Sequence, residues 1–236
     1  MNSLVDVVSI AQELVRTKCL SCEAAFLAGS VVRGEETATS DLDVVVFDSS
    51  VTASYRESFI YKEWPIEWYV HNLSSYQAFY KSDCERARPS LPKMVSEGYI
   101  LCDTGMAREL QEEANILLKK GPEPWSEDDV TLKRYFLTDV FDDFIGATDR
   151  GEEMCCAAAL ADQVHEFILR TNQQWIGSSK WMVRALRKYD PKVAERFVKV
   201  FDHYYQTREK KAVISFVNDV LQPYGGRLFD GFSLGK

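Results

Sequence analysis

Histidine is scarce in this sequence, with three in 236 residues, cations are outnumbered by anions, and long apolar runs do not occur. The deficit of cations excludes most. Lysine and arginine total 28 against 36 aspartates and glutamates, a formal net charge of −8. Up to residue 121 there are 12 basic and 18 acidic residues, and beyond it 16 and 18. Neither half has the basic excess with which proteins neutralise duplex phosphates, so a non-specific duplex-binding surface is excluded. An acidic chain suits a cationic partner, or metal ions carrying a phosphate substrate. No apolar stretch approaches the roughly 20 residues of a membrane span. The opening "MNSLVDVVSIAQELV" lacks the basic start and cleavage site of a signal peptide and reads as an amphipathic helix. A cytoplasmic protein without membrane association is expected. The six cysteines fit reduced core thiols: Cys19 and Cys22 form a lone CxxC, with no second pair and no histidine spaced for zinc.

What is present is an ordinary globular balance, 46% hydrophobic and 27% charged. Residues 3 to 18 have helical periodicity, with Leu4, Val7, Val8, Ala11 and Leu14 or Val15 on one face. "AAFLAG" and "DLDVVVF" read as buried strands, the second rich in β-branched residues. "YRESFIYKE" and "PIEWYVHN" read as two more, with Glu63, Trp64 and Pro65 at the corner between them. Helices are expected over 74 to 86 and about 105 to 120. "KKGPEPWSEDD" is the best linker, followed by a helix with Ser126 as N-cap. Beyond it the helical segments are roughly 127 to 148, 152 to 174, 179 to 188, 191 to 204 and 207 to 221. The pattern predicts an α+β chain: a mixed sheet flanked by helices over 1 to 122, then a helical bundle over 123 to 236. There is no internal repeat.

The stretch that carries chemistry is "LAGSVVRGEETATSDLDVVVF", residues 27 to 47. On a strand, residues i and i+2 share a face, so Asp41 and Asp43 aim together while Leu42 faces away. Two carboxylates so close repel, and one takes up a proton unless a cation lies between them. Magnesium is the natural remedy, since it prefers oxygen ligands and is commonly held by one or two carboxylates plus substrate phosphates. The bland alternative is a solvated strand end, with Asp41 as a turn residue after Ser40. Upstream, Gly29 and Ser30 end the preceding strand and are expected to open a short helix through "VVRG". Such a turn offers backbone N–H groups and a hydroxyl to an anion. A phosphate cradle joined to an acid pair makes a nucleoside triphosphate site.

Gly29, Ser30, Arg33, Gly34, Ser40, Asp41 and Asp43, followed by an apolar strand, resemble the signature of the polymerase-β-like nucleotidyltransferases. The resemblance implies that the first domain has the nucleotidyltransferase fold and is catalytic. It also implies a third acid on a neighbouring strand. Glu67 is the candidate, with Tyr69 on its face; Glu63 sits at the corner, and Asp48 lies too far along its strand at about 3.3 Å per residue. The implied site has Asp41, Asp43 and Glu67 as metal ligands for two magnesium ions, and Gly29, Ser30, Arg33 and Ser40 around the triphosphate of an NTP, ATP first. The implied reaction moves a nucleoside monophosphate to an acceptor hydroxyl and releases pyrophosphate, with Glu67 completing the metal site or acting as general base.

The layout is similar to the aminoglycoside nucleotidyltransferases of the streptomycin/spectinomycin type. They often carry a helical-domain lysine comparable to Lys180, for which phosphate contact and an ordinary exposed lysine are equal readings. Arg184 and Arg187 read as solvated or structural. Asp139, Asp142 and Asp143 share one helix face, as do Asp162 and Glu166 on the next. An acidic cleft wall would attract a polycationic acceptor, although such runs are usually solvated faces, the preferred reading. Trp175 and Trp181 could stack on a sugar or base, but packing is commoner; His165 and His203 read as structural. Two other classes stay open: a catalytically idle binding or antitoxin-like regulatory protein, and an enzyme acting on a protein hydroxyl.

Overall fold

A computed structural model describes residues 4–19 and 21–235. The chain divides into two compact units, residues 1–121 and 122–236.

The first unit is built on a five-stranded mixed sheet in the order β3-β4-β2-β1-β5. Its strands are β1 (Ala24–Ala28), β2 (Leu42–Phe47), β3 (Tyr55–Tyr61), β4 (Trp64–His71) and β5 (Tyr99–Asp103). β2 and β4 run parallel; the other neighbours are antiparallel. β1 is buried throughout and β2 except at Asp43, which explains their unbroken apolar runs, whereas the edge strand β3 is mostly exposed.

Side-chain alternation divides the core. Leu42, Val44 and Val46 of β2 join Ile66, Trp68 and Val70 of β4 against helix α1 (Leu4–Lys18), whose Val7, Val8, Ala11, Leu14 and Val15 are buried. Each such aliphatic contributes about 1.5–3 kcal/mol over its exposed state, except the small alanine. On the other face Val45 and Phe47 meet α2 (Tyr76–Glu85), α3 (Ser90–Glu97) and α4 (Ala107–Lys120) through Tyr76, Tyr80, Leu91, Val95 and Leu110. Asp43 belongs to this second face, at the end of β2 where the helices leave it uncovered enough to be only partly buried.

Two local expectations need correction, and two elements were not foreseen. No helix forms through "VVRG": residues 30–34 make a turn, closed by Gly34 N–H donating to Val31 O (3.2 Å) and Glu35 N–H to Ser30 O (2.9 Å). Gly34 at φ +65° ends it before a second turn can start. The β3–β4 corner lies at Lys62 and Glu63, both at positive φ as a two-residue primed turn requires, while Trp64 and Pro65 are already in β4. Finally, α3 and β5 had no sequence expectation. Pro92 in the first turn of α3 is tolerated because the N–H it lacks would have had no helical partner, and β5 is a five-residue strand whose side chains are exposed or only half-buried.

The second unit is helical: α5 (Glu127–Gly146), α6 (Arg150–Thr171), α7 (Lys180–Tyr189), α8 (Pro191–Thr207) and α9 (Lys211–Leu221), then a 3-10 turn at Gln222–Tyr224. Ser126 does cap α5, accepting from Asp129 N–H while the Asp129 carboxylate accepts from Ser126 N–H. Asp149 and Asp190 cap α6 and α8 by accepting backbone N–H groups of the first turn, from Gly151 and Glu152 and from Lys192 and Val193. Phe141, Phe144, Leu160, Val164, Phe167, Phe197, Tyr204 and Phe216 fill its interior. Among the described residues no helix is long and apolar enough to cross a membrane.

Candidate metal centre

Asp43 is the second residue of β2, and the parallel register sets Glu67 of β4 directly beside it. Asp41 stands two residues before Asp43, just ahead of the strand. One carboxylate oxygen from each of Asp41, Asp43 and Glu67 lies within 4.8 Å of the others, and all three residues are partly buried. Among the described residues no other group of three His, Cys, Asp or Glu side chains gathers this closely.

On the other side of β2, Asp43 pairs with Ala28, so Gly29 follows at the point where β1 passes the acid. A Cβ on Gly29 would lie 2.1 Å from Asp43 Oδ2, and Gly29 is held at φ +87°. Both facts demand glycine there: any side chain would occupy the space of the carboxylate, and the left-handed backbone disfavours other residues. The segment between Gly29 and Asp41 is clasped at its base. Ser30 Oγ donates to Ser40 Oγ (3.0 Å), which also accepts Thr37 N–H (2.8 Å). Arg33 pairs with Glu35 (3.1 Å) and with Glu97 of α3.

The acids affect one another. Burial, then the charges of Asp41 and Glu67, pushes Asp43 up to about 7, against the opposing pull of Arg33 and Arg56. Glu67 is engaged at both oxygens. Arg56 Nη2 donates to Oε1 and Tyr69 Oη donates to Oε2. The Arg56 guanidinium also lies over the Tyr69 ring, 5.0 Å from its centroid. Burial and the bond to Glu67 raise the Tyr69 pKa, so its hydroxyl stays a donor. Arg56 was not anticipated from the sequence. With the turn at Lys62–Glu63, β3 pairs Arg56 with Tyr69 and Ser58 with Glu67, which brings the guanidinium within reach of the acid.

The other sequence candidates lie elsewhere. Lys180 is exposed at the start of α7, in the second unit. Asp142 is paired with Arg227 (2.7 Å) and Glu166 with Lys133 (3.0 Å), so two of the five acids on the helix faces are already matched by cations. Asp139, Asp143 and Asp162 are exposed. His165 is fully buried, with Nε2 3.1 Å from Gly177 O, and His203 pairs with Glu209 on the surface (3.1 Å). Arg184 stacks on Trp181, 4.6 Å from the ring centroid. Cys19 donates to Asp48 (3.1 Å), and burial, then Asp48, pushes its thiol up to about 11. A cavity of about 350 Å³ lined by Trp125, Arg170 and Tyr224 belongs wholly to the second unit.

No protein-family model and no curated protein matches the chain. Among solved structures it is similar to a nucleotidyltransferase-like protein from Exiguobacterium sibiricum 255-15. The two are 13% identical with a TM-score of 0.49, over 90% of this chain and 74% of that one.

Proposed function

We propose that the protein is a metal-dependent nucleotidyltransferase, moving a nucleoside monophosphate, AMP from ATP first, to the hydroxyl of a small-molecule acceptor. The observation that carries the reading is the convergence of Asp41, Asp43 and Glu67 beside a glycine with no room for a side chain. A binding-only protein gains nothing from three acids of which one is driven towards neutrality at ordinary pH.

The donor set fits a hard divalent cation: three carboxylates and no nitrogen or sulfur. Asp41 and Asp43 would hold magnesium, with Glu67 beside them. Bound there, magnesium would neutralise triphosphate charge and stabilise the charge that develops on the attacking and leaving oxygens. Ser30, Ser40 and Arg33, on the turn next to the acids, are the proposed triphosphate contacts. The acceptor oxygen attacks the α-phosphorus in line and pyrophosphate leaves. Glu67 would complete the metal set or take the acceptor's proton, its orientation fixed by Tyr69. Aminoglycoside-like molecules come first among the acceptors to be tested, on the resemblance of the sequence layout.

The test is transfer of label from α-labelled ATP in the presence of magnesium, across aminoglycosides, lincosamides and protein extracts. Label should appear on a small molecule, with Asp41→Asn and Asp43→Asn each at least about 100-fold slower. Full transfer by Asp43→Asn would sink the assignment. ATP binding with no acceptor labelled would favour a regulatory binding protein, and label on a polypeptide would move the acceptor to a protein hydroxyl.

A further inference from the structure

Arg56 has no part in the residue pattern that suggested the site, yet it is bonded to one of the three acids. It sits on the edge strand β3, opposite Tyr69. Its guanidinium donates to Glu67 Oε1, and its charge also acts on Asp43. The two groups that hold Glu67 are not equivalent. Tyr69 is a partly buried ring packed against the helix-covered face of the sheet, so its hydroxyl has little freedom. The Arg56 side chain is 54% exposed and can swing into water. An ion pair that exposed contributes only about 0–1 kcal/mol. A doubly charged ion among three carboxylates competes for the same oxygen with the greater charge.

We propose that Arg56 is the resident counter-ion of the acidic site, the positive charge that a divalent cation displaces from Glu67. This rests on the metal-dependent reading above and adds to it a competition inside the protein. While Arg56 holds Oε1, the charge of the cluster is partly balanced and the sheet tolerates the acids without a metal. When Arg56 leaves, Glu67 keeps its bond from Tyr69 and presents Oε1 to the ion. Arg56 then acts as a positioning residue that sets the metal affinity of the site, with no contact to the reacting atoms required.

The experiment uses the full chain without nucleotide or acceptor. Manganese binding is followed by the electron paramagnetic resonance of the free ion, for the wild type, Arg56→Gln, Arg56→Ala, Arg56→Lys and Tyr69→Phe. The two neutral variants should bind manganese about 5- to 10-fold more tightly, by loss of a unit charge at close range. Arg56→Lys, which keeps the charge, should stay within about twofold of wild type, and Tyr69→Phe should not tighten binding. A general charge effect is separated from displacement by the side-chain ¹⁵N–¹H resonances of Arg56, identified by their loss in Arg56→Lys. They should pass into rapid solvent exchange as magnesium is added. Because Arg56 is exposed on an edge strand, the variants should fold, which their melting temperatures check. Manganese binding that is unchanged or weaker in both neutral variants would overturn the proposal and leave the metal reading standing. So would Arg56 resonances that stay protected in the magnesium-loaded protein. Absence of manganese binding by the wild type and the neutral variants alike would overturn both.

Discussion

Asp43 and Glu67 stand side by side in register on β2 and β4, the parallel pair of the sheet. Their carboxylates therefore meet through backbone pairing rather than through a mobile loop. That makes the acidity of Asp43 a property of the folded sheet and gives the molecule a pH signature.

In the metal-free protein Asp43 has a folded pKa of about 7, above the ordinary aspartate value of 3.8. A group shifted upward contributes stability that is present below about pH 4 and lost as pH rises through 7. Asp43→Asn removes that loss. At pH 8, without metal, the variant should be more stable in urea by roughly 2 kcal/mol, a discounted fraction of three pH units at about 1.4 kcal/mol each. At pH 4 the two should coincide. The variant should also lose the upward melting shift that magnesium or manganese gives the wild type. Greater stability of the wild type at pH 8 in a chelating buffer would contradict the assignment.

His71 titrates with the opposite sign. It is buried between Phe47 and Phe79, its Nδ1 has no hydrogen-bond partner, and burial pushes its pKa down to about 4 from 6.5. A histidine depressed in this way contributes stability that is present above 6.5 and lost as pH falls towards 4. The fall should amount to about 3 kcal/mol at most. Urea melts of wild type and His71→Leu at pH 7.5 and 4.5 should show a smaller acid penalty in the variant. An equal penalty would place the titrating group elsewhere.

Gly29→Ala should be costly. The new Cβ meets Asp43 Oδ2 at 2.1 Å and the backbone is held at φ +87°. A loss of about 2–4 kcal/mol is expected from the clash and the backbone strain together. Because the clash is with the carboxylate, manganese binding should weaken even where the variant still folds. A variant with unchanged stability and affinity would mean that Asp43 does not need the space.

Ser126→Ala tests the second unit independently. It removes the side-chain oxygen that accepts Asp129 N–H at the start of α5 and should cost about 1 kcal/mol. Metal affinity should not change, since Ser126 lies in the second unit and the three acids in the first.

The sequence announced the acids more plainly than their surroundings. Asp41 and Asp43 precede an apolar β-branched run, so side-chain alternation puts them on one face, whereas Glu67 was singled out because the family resemblance implies a third acid on a neighbouring strand. Arg56 was invisible because its relation to Glu67 depends on the register of β3 against β4. A corner at Glu63–Trp64–Pro65 slides the hairpin, whereas the turn at Lys62–Glu63 sets Arg56 opposite Tyr69. Two ordinary polar residues at positive φ give no turn signal of the Asn-Gly kind. The pairing of Arg33 with Glu97 was hidden for a related reason, since α3 begins at Ser90 with a proline in its first turn and was not expected as a helix. Asp43 and the apolar run of β2 are legible because strand alternation fixes them locally, while Gly29, Ser30, Arg33 and Ser40 stood out through the family resemblance and the helix expected through residues 31–34 is a turn. The partners that tune them arrive from segments whose placement only the folded sheet decides.

The hydroxyl clasp between Ser30 and Ser40 has a consequence of another kind. A neutral hydrogen bond of this sort is worth about 1 kcal/mol net, so it opens in something like one molecule in six at any moment. Opening it loses that single bond, and Ser40 Oγ can still accept Thr37 N–H. An incoming phosphate offers the same kind of acceptor with more charge behind it, and charge-assisted bonds are roughly twice as strong. On the proposed function, the clasp would act as a latch that the incoming phosphate can lift, holding the ends of residues 31–39 together until it arrives.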